Sequence, residues 1–271
     1  MVMSVNTNPG AMIALQSLSK TNRFLENTQL RITTGLRVNG PKDDAATFAI
    51  AQNMRGDIAG MAAVQTNLSL GQSVVSVAID AGKAIEDLLI EMKAKSVQAS
   101  QSGLDTDSYT ALNQEFTSLR AQVEAIVASA EFNGTNLIGS GSSNLDILST
   151  VDGSTITVTK QSIDATTLTI HTATLTDATV AGTALTAISQ AIVTVSNALA
   201  SLGSAAKRVD IQSEFTAKLT DILKQGVGNL VDADLAEESA NLQAAQIKQQ
   251  LGVQALAIAN AGPQSILALF Q

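Results

Sequence analysis

The stretch from Met61 to Met92, MAAVQTNLSLGQSVVSVAIDAGKAIEDLLIEM, carries an apolar or small residue at alternating steps of three and four. This period predicts a helix that buries one stripe of its surface against another helix. The stripe includes Gly71 and Gly82, and a glycine inside a helix costs about 1 kcal/mol. We therefore expect a partner helix to approach closely at both. The stripe positions are Met61, Val64, Leu68, Gly71, Val75, Ala78, Gly82, Ile85, Leu89 and Met92.

Two further segments show the same period and predict a bundle of three long helices. The first follows residues 102–107, which combine a helix stop with candidate N-caps, so a helical hairpin is expected there. The second loses its phase after Val209, and Phe215, Leu219 and Ile222 resume it. The stripes comprise Tyr109, Leu112, Phe116, Leu119, Val123, Ile126 and Ala130, then Ile188, Ile192, Val195, Leu199, Leu202, Ala206 and Val209.

The composition excludes several functional classes. The 271 residues carry a net charge of −8, which argues against a nucleic-acid binder because such proteins need a basic face. Cysteine is absent and His171 is the single histidine, so neither a thiolate nor a transition-metal site is expected, and no cofactor is predicted. We expect His171 at an exposed strand end. Aromatic residues make up 3% of the chain, which suits thin helical bundles.

Neither terminus predicts a membrane segment. The N-terminus lacks the basic region and apolar core of a Sec-type signal peptide. Residues 251–271 carry no charge and approach the length of a membrane span. Because Gln254, Asn260 and Pro263 interrupt them, we interpret this segment as a helix buried by other protein chains, and no membrane span is predicted.

Residues 11–34 predict an amphipathic helix that Gly35 ends. Its stripe runs through Leu18, Asn22, Leu25, Gln29, Ile32 and Leu36. Buried amides at Asn22 and Gln29 would fix the register of a helix pair. In the alternative, both amides face solvent and the stripe leans toward Phe24.

The next helix is expected to begin at Ala45, with Asp43 and Asp44 as caps at its positive end. The two aspartates could also suggest acid–base chemistry, but no histidine, further carboxylate or nucleophile motif accompanies them. A helix break is expected around residues 56–60.

The middle of the chain predicts a small β insertion. Residues 145–148 and 155–159 alternate around Asp152-Gly153, which indicates a β-hairpin. Residues 167–170 suggest another short strand, while Asn133-Gly134 and residues 139–143 are turn and loop signals. Helix is expected again from Ala184 to Lys224, with a break at residues 226–228 and a new start around Asp232.

The chain ends carry opposite local charge, which predicts that they pair side by side. The C-terminal acids are Asp232, Asp234, Glu237 and Glu238, and the N-terminal bases are Lys20, Arg23, Arg31 and Arg37. The fold class that follows is mainly α. It is a long helical coiled-coil or bundle rod with a small β-hairpin insertion and with the N- and C-terminal helices paired.

Motifs at both ends resemble those of bacterial flagellin. At the N-terminus they include residues 6–8 (NTN), 31–39 (RITTGLRVN) and 43–46 (DDAA). At the C-terminus they include residues 234–240 (DLAEESA), 249–252 (QQLG) and 263–270 (PQSILALF). The resemblance covers essentially the whole chain and weakens between residues 139 and 186.

The resemblance implies a structural subunit that polymerises into the flagellar filament for motility, without enzymatic activity. It implies an inner coiled-coil domain of residues 1–38 and 232–271 and a helical domain of residues 39–138 and 187–231. Residues 139–186 would form a short outer region. Alternatives are a hook–filament junction protein, which shares the helical ends, a secreted helical adhesin and an enzyme; the C-terminal motif favours flagellin.

The resemblance also implies the partners and the location. Copies of the chain would associate with one another, alone or with sister flagellins. The flagellar type III export apparatus, an export chaperone, the filament cap and the hook-junction proteins would be further partners of this secreted, extracellular subunit. The expected assembly residues are Leu18, Asn22, Leu25, Gln29, Arg31, Ile32, Arg37, Asp234, Glu237, Leu242, Leu251, Leu256, Ile258, Ile266, Leu269 and Phe270.

Overall fold

The fold is mainly α, as predicted. The computed structural model describes residues 7–267, with the backbone alone for residues 262–267. Within that range the helices are α1 (Pro9–Thr34), α2 (Ala45–Ala99), α3 (Thr106–Ser129), α4 (Ala178–Val231) and α5 (Leu235–Leu267). The short strands are β1 (Glu131–Phe132), β2 (Thr135–Asn136), β3 (Leu145–Leu148) and β4 (Thr155–Val158).

The chain divides into two compact units. The terminal unit comprises Met1–Gly56 with Ile222–Gln271, and the central unit comprises Asp57–Asp221. Helices α2 and α4 each contribute to both units. The terminal unit contains α1 packed against α5, so the predicted pairing of the two chain ends is present.

The core of the central unit follows the predicted stripes. Leu68, Val75, Ile85, Leu89 and Met92 of α2 are fully buried, and Met61 is half-buried. Helix α3 contributes Phe116 and Val123, and α4 contributes Ile188, Val195 and Leu202. The period of three and four therefore identified the buried face of each helix.

The two glycines of the α2 stripe meet different neighbours. A Cβ atom at Gly82 would lie 2.7 Å from Leu199 Cδ2 of α4, which is the close helix approach that the sequence predicted. A Cβ atom at Gly71 would lie 2.3 Å from Ile147 Cδ1, which belongs to strand β3. The partner at Gly71 is thus the β insertion rather than a helix.

Two predictions about α4 were wrong, one about its buried stripe and one about a break in the helix. Its buried stripe continues without a phase slip through Thr216, whereas Phe215 and Ile222 are exposed, so the predicted slip was wrong. The helix also passes residues 226–228 unbroken and ends at Val231. At Gly226 the side chain of Met54 fills the space where a Cβ atom would stand, 2.9 Å from Met54 Cε.

The β insertion is a pair of short hairpins. Strands β3 and β4 pair antiparallel, with Ile147 opposite Ile156, and Gly153 turns between them with φ of 90°. This hairpin was predicted, whereas the pairing of β1 with β2 around Asn133-Gly134 was not. Ile147 and Val158 point into the core and anchor β3 and β4 to it.

The strand expected at residues 167–170 is absent, because the chain turns there. The Asp164 carboxylate accepts hydrogen bonds from the amides of Thr166 and Thr167, and Thr169 adopts a positive φ of 57°. His171 is exposed as expected, but it lies in a turn. The Arg120 guanidinium donates to the His171 carbonyl at 2.8 Å and holds this turn on α3.

Most of the predicted helix ends are present. Gly35 caps α1 in the left-handed conformation with φ of 73°. The Asp44 carboxylate caps α2 by accepting from the amides of Ala46 and Thr47, whereas Asp43 instead accepts from the amides of Asn39 and Gly40 in the preceding turn. Helix α2 shows no break at residues 56–60, so that expectation was wrong.

Helix α4 is also long and apolar enough for a membrane span. Among the helices of the described residues it alone passes that test, with a mean hydropathy of 1.5 over its most apolar window. Core helices pass the same test, and α4 supplies Ile188 and Val195 to the core of the central unit. The length and composition of α4 are therefore only weak evidence for a membrane span.

Candidate assembly surface

Helices α1 and α5 of the terminal unit form an antiparallel pair. Contacts join Leu18 to Gly252 near one end and Arg31 to Glu238 near the other, so residue numbers rise along α1 as they fall along α5. Helix α1 begins with Asn8 as its N-cap and Pro9 in its first turn, both of which favour a helix start. The Asn8 amide also donates to the Ala259 carbonyl at 2.7 Å, which ties this helix start to α5.

The seam between α1 and α5 is built mainly from small and polar residues. Thr28 and Ala245 are its most buried members, and Gly252 lets the Leu18 side chain approach within 3.2 Å of its Cβ position. The seam positions on α1 are Ala11, Ala14, Leu18, Thr21, Leu25, Thr28 and Ile32. Those on α5 are Glu238, Leu242, Ala245, Gln249, Gly252, Leu256 and Ala259.

One of the two predicted seam amides lies in the seam. The Gln249 side chain donates to Asn22 Oδ1 at 2.9 Å, which is a register-specific contact between the helices. Gln29 is exposed, and Thr28 occupies the buried position beside it. The sequence stripe was therefore one residue off at this turn, because a threonine that packs in the seam gives no apolar signal.

The predicted charge pairing is present, and of the four predicted acids it uses Glu238. Arg31 Nη1 lies 2.9 Å from Glu238 Oε1, and the Glu238 side chain is 9% exposed. Asp234 instead caps α5 by accepting from the amide of Ala236, and Glu237 is exposed. Glu238 Oε2 is buried without a hydrogen-bond partner in the described part of the chain.

The segments beside the helix pair are joined through the backbone. Leu36 forms an antiparallel bridge with Asp232, and the amide of Arg37 donates to the Val231 carbonyl at 2.7 Å. The Arg37 guanidinium donates to the Leu230 carbonyl at 3.0 Å. The turn after α1 is thereby fixed to the junction between α4 and α5.

The outer faces of α1 and α5 carry large apolar side chains. Ile13 is 68% exposed and Ile258 is 74% exposed. The other exposed residues of this kind are Met12, Leu15, Phe24 and Leu30 on α1, and Leu235, Ile247, Leu251 and Val253 on α5. The most buried seam positions are Thr28 and Ala245 while large apolar side chains lie outside, which inverts the usual arrangement of a helix pair. An exposed apolar surface marks an interaction site.

The structure divides the predicted assembly residues into three groups. Leu18, Asn22, Leu25, Arg31, Ile32, Leu242 and Leu256 lie at or beside the seam and are half-buried. Gln29, Arg37, Asp234, Glu237, Leu251 and Ile258 are exposed. Ile266 lies where the backbone alone is described, and Leu269 and Phe270 lie outside the described residues.

Sequence reasoning missed several apolar residues on the outer faces. Met12, Ile13, Leu15, Ile247 and Val253 are exposed, and none was among the predicted assembly residues. The signal available was the lack of charge before Lys20 and after Lys248. A solvated helix face normally carries charges, so two charge-free helix ends indicate a surface that other chains cover.

Family comparisons match both ends of the chain. The model of the bacterial flagellin N-terminal helical region matches residues 5–143, and that of the bacterial flagellin C-terminal helical region matches residues 185–270. The chain belongs to the bacterial flagellin family. This flagellin is a structural subunit of the flagellar filament and not an enzyme.

Relatives of similar length support the assignment. The flagellin FljK of Caulobacter vibrioides is 46% identical over 99% of this chain and 98% of its own. The flagellin of Brucella melitensis is 37% identical over 99% of both chains. This flagellin therefore aligns with whole proteins of the family, including its short middle region.

Two solved structures share the fold. The Bacillus cereus flagellin covers 55% of this chain and 88% of its own, with 22% identity and a TM-score of 0.52. A structure described as a putative flagellar hook-associated protein from Vibrio parahaemolyticus covers 70% of this chain and 100% of its own, with 15% identity and a TM-score of 0.58. At these identities the likeness concerns the fold alone.

Proposed function

We propose that this flagellin polymerises through the exposed apolar faces of α1 and α5. The observation that carries the proposal is the inverted helix pair, in which Ile13 and Ile258 face outward while Ala245 and Gly252 line the seam. Contacts between different surfaces of successive copies give an open helical polymer when the rotation between copies does not close a ring.

The energy of assembly comes mainly from burying these side chains. Covering one exposed Leu, Ile or Met contributes about 1.5–3 kcal/mol. The seam buries little apolar surface fully, because Thr28 and Ala245 take its most buried positions while its large apolar residues, such as Leu18, are only half-buried. The pairing of α1 with α5 is therefore completed by neighbouring copies.

The parts of the chain have separate roles in this proposal. Residues 1–38 and 232–271 form the inner domain of the filament, residues 39–138 and 187–231 form its wall, and residues 139–186 face the outside. The expected assembly residues act within the inner domain. Arg31 and Asn22 hold the helix pair in register, and Leu251, Ile258, Ile266, Leu269 and Phe270 bury themselves against other copies.

The export and assembly of a flagellin imply further partners of this chain. The flagellar type III apparatus and an export chaperone carry the chain, the filament cap directs its addition, and hook-junction proteins hold the filament base. The working location of this flagellin is outside the cell. The weak seam of α1 and α5 suits this route, because a helix pair that is incomplete in one chain opposes unfolding during transport less strongly.

The test places a polar group on the exposed face of α5. We expect Ile258→Gln to raise the protein concentration needed for polymerisation by at least about tenfold, since it removes about 1.5–3 kcal/mol of apolar burial per copy. Sedimentation of filaments after seeding measures that concentration. Val193→Gln is the matched control, because Val193 is an exposed aliphatic residue of α4 in the central unit. Equal polymerisation of Ile258→Gln and the unchanged chain would contradict the proposal.

A further inference from the structure

A recess of about 180 Å³ lies between α2 and α4 in the central unit. Leu68 and Val209 form its apolar floor. Its remaining lining residues are Ser69, Gln72, Asp210 and Ser213. We call these six residues the acceptor notch.

Hydrogen-bond acceptors in and beside the notch lack donors. Gln72 Oε1 is buried and has no hydrogen-bond partner in the described part of the chain, and the same holds for Gln65 Oε1, one heptad earlier on α2. A buried acceptor left without a donor costs about 1–3 kcal/mol. These two atoms thus mark a place where the isolated chain is incomplete.

The hydroxyl groups of the notch are already engaged by Gln65. The Ser69 hydroxyl donates to the Gln65 backbone carbonyl at 3.0 Å. The Ser213 hydroxyl accepts from the Gln65 side-chain amide at 2.6 Å. Asp210 is exposed at the mouth of the notch and forms no ion pair within residues 7–261. The notch therefore presents a carboxylate and an amide oxygen to whatever enters it.

A lysine side chain matches this arrangement. Its ammonium group has three donors and no acceptor, and its aliphatic stem can lie along apolar surface. In the notch, the stem would cover Leu68 and Val209 while the ammonium group meets Asp210 and Gln72 Oε1. A neutral donor would satisfy the amide oxygen but would leave the Asp210 charge without a partner.

We propose that the acceptor notch binds a lysine side chain of a second copy of this chain in the filament. The proposal rests on the polymerisation proposed above, which brings copies together at high local concentration. Charge complementarity supports it, since the exposed Lys93 and Lys207 have no ion pair among the described residues. The contact adds a polar, register-specific link between central units to the apolar association of the terminal units.

The experiment is zero-length carbodiimide cross-linking of filaments assembled from equal parts of unlabelled and ¹⁵N-labelled full-length chain. The reagent joins a carboxylate to a lysine amine with loss of one water when the two are in contact. We expect mass spectrometry to find Asp210 joined to a lysine in peptide pairs of mixed label, and this product to be missing from monomers. The exposed pair of Asp80 and Lys83, with 3.3 Å between Oδ1 and Nζ, is the positive control in both samples.

A second measurement uses Gln72→Leu, which removes the orphan acceptor at similar volume. We expect the monomer to be at least as stable as before and the critical concentration for polymerisation to rise about tenfold, because a charge-assisted hydrogen bond between copies is lost. Gln114→Leu, at an exposed amide of α3, is the matched control and should leave the critical concentration unchanged.

Two results would overturn the proposal. One is filaments in which Asp210 is joined to no lysine, or only to a lysine of its own chain such as Lys207. The other is an unchanged critical concentration for Gln72→Leu, which would leave water as the sole occupant of the notch. Electron microscopy shows whether filaments form, independently of the cross-linking result. Loss of filaments in the unchanged chain would thus count against polymerisation itself and, with it, against this contact.

Discussion

Single carboxylates define where two of the helices begin. Asp44 caps α2 and Asp105 caps α3, and hydrogen bonds from the hydroxyl and amide groups of Thr47 and Ser108 lower the pKa of the respective carboxyl below the ordinary value of 3.8. A carboxyl whose pKa is lowered by folding stabilises the folded state fully above its ordinary pKa. That stabilisation is lost as the pH falls below 3.8 and through the lowered pKa.

The caps give a prediction about acid pH. Carboxyl ¹³C NMR titration of the full-length chain should show Asp44 and Asp105 protonating below the ordinary pKa of 3.8. Asp105→Ala should lower the free energy of unfolding at neutral pH, with a smaller loss once the pH is below the lowered pKa. Ordinary titration of both aspartates would contradict the capping role.

The Arg31–Glu238 pair gives a prediction about register. Glu238→Gln should lower the temperature at which filaments disassemble, because the charge-assisted contact is lost while the shape is kept. Since Arg31 is 38% exposed, we expect a cost of only about 1 kcal/mol per copy. Glu237→Gln is the matched control at an exposed acid. Equal disassembly temperatures for the two variants, followed by light scattering, would contradict a structural role for the pair.

At the scale of helices and strands, we expect substitution by alanine at two glycines to change stability in opposite directions. Gly71→Ala should destabilise the central unit, because the new Cβ atom would fall 2.3 Å from the side chain of the buried Ile147 and displace the β3–β4 hairpin. Gly203→Ala should stabilise it by up to about 1 kcal/mol, since nothing lies within 4 Å of that position in α4. Thermal unfolding followed by helical circular dichroism measures both. Equal stability of the two variants would show that the hairpin does not pack on α2 at Gly71.

Helices and strands were predicted correctly where their buried positions carry apolar residues. The α2 stripe was found because Leu68, Ile85 and Leu89 repeat with the helical period, and the β3–β4 hairpin was found because Asp152-Gly153 separates two alternating segments. The prediction of the buried stripe failed where a buried position carries a polar residue. Thr216 continues the α4 stripe and Thr28 fills the α1 seam, and neither differs in type from an exposed threonine.

Other misses arose where tertiary packing overrode local preference. Glycines at 226 and 228 predicted a helix break, yet Met54 packs against Gly226 and α4 continues. Residues 167–170 have high strand propensity, but the Asp164 carboxylate holds the adjoining amides in a turn. Single-sequence patterns carry no information about either neighbour.

At the scale of the whole molecule, the pattern of apolar residues describes the polymer rather than the single chain. A monomeric protein keeps its large apolar residues inside, whereas here Ile13 and Ile258 face outward from the terminal unit. The seam residues were therefore only partly predictable, because in the proposed assembly the stripes that are exposed in one chain are covered by other copies. Residues 251–271 carry no charge, which fits the same proposal.

The most direct measurement of the central claim is electron microscopy of the full-length chain and of a variant that lacks residues 251–271. Both are examined after addition of short filament seeds in a kosmotropic salt, which favours apolar burial. We predict long uniform filaments from the full-length chain and none from the variant, whose central unit keeps its helical circular dichroism. Persistent monomers of the intact chain, or filaments of equal length from the shortened one, would contradict assembly through the faces of α1 and α5.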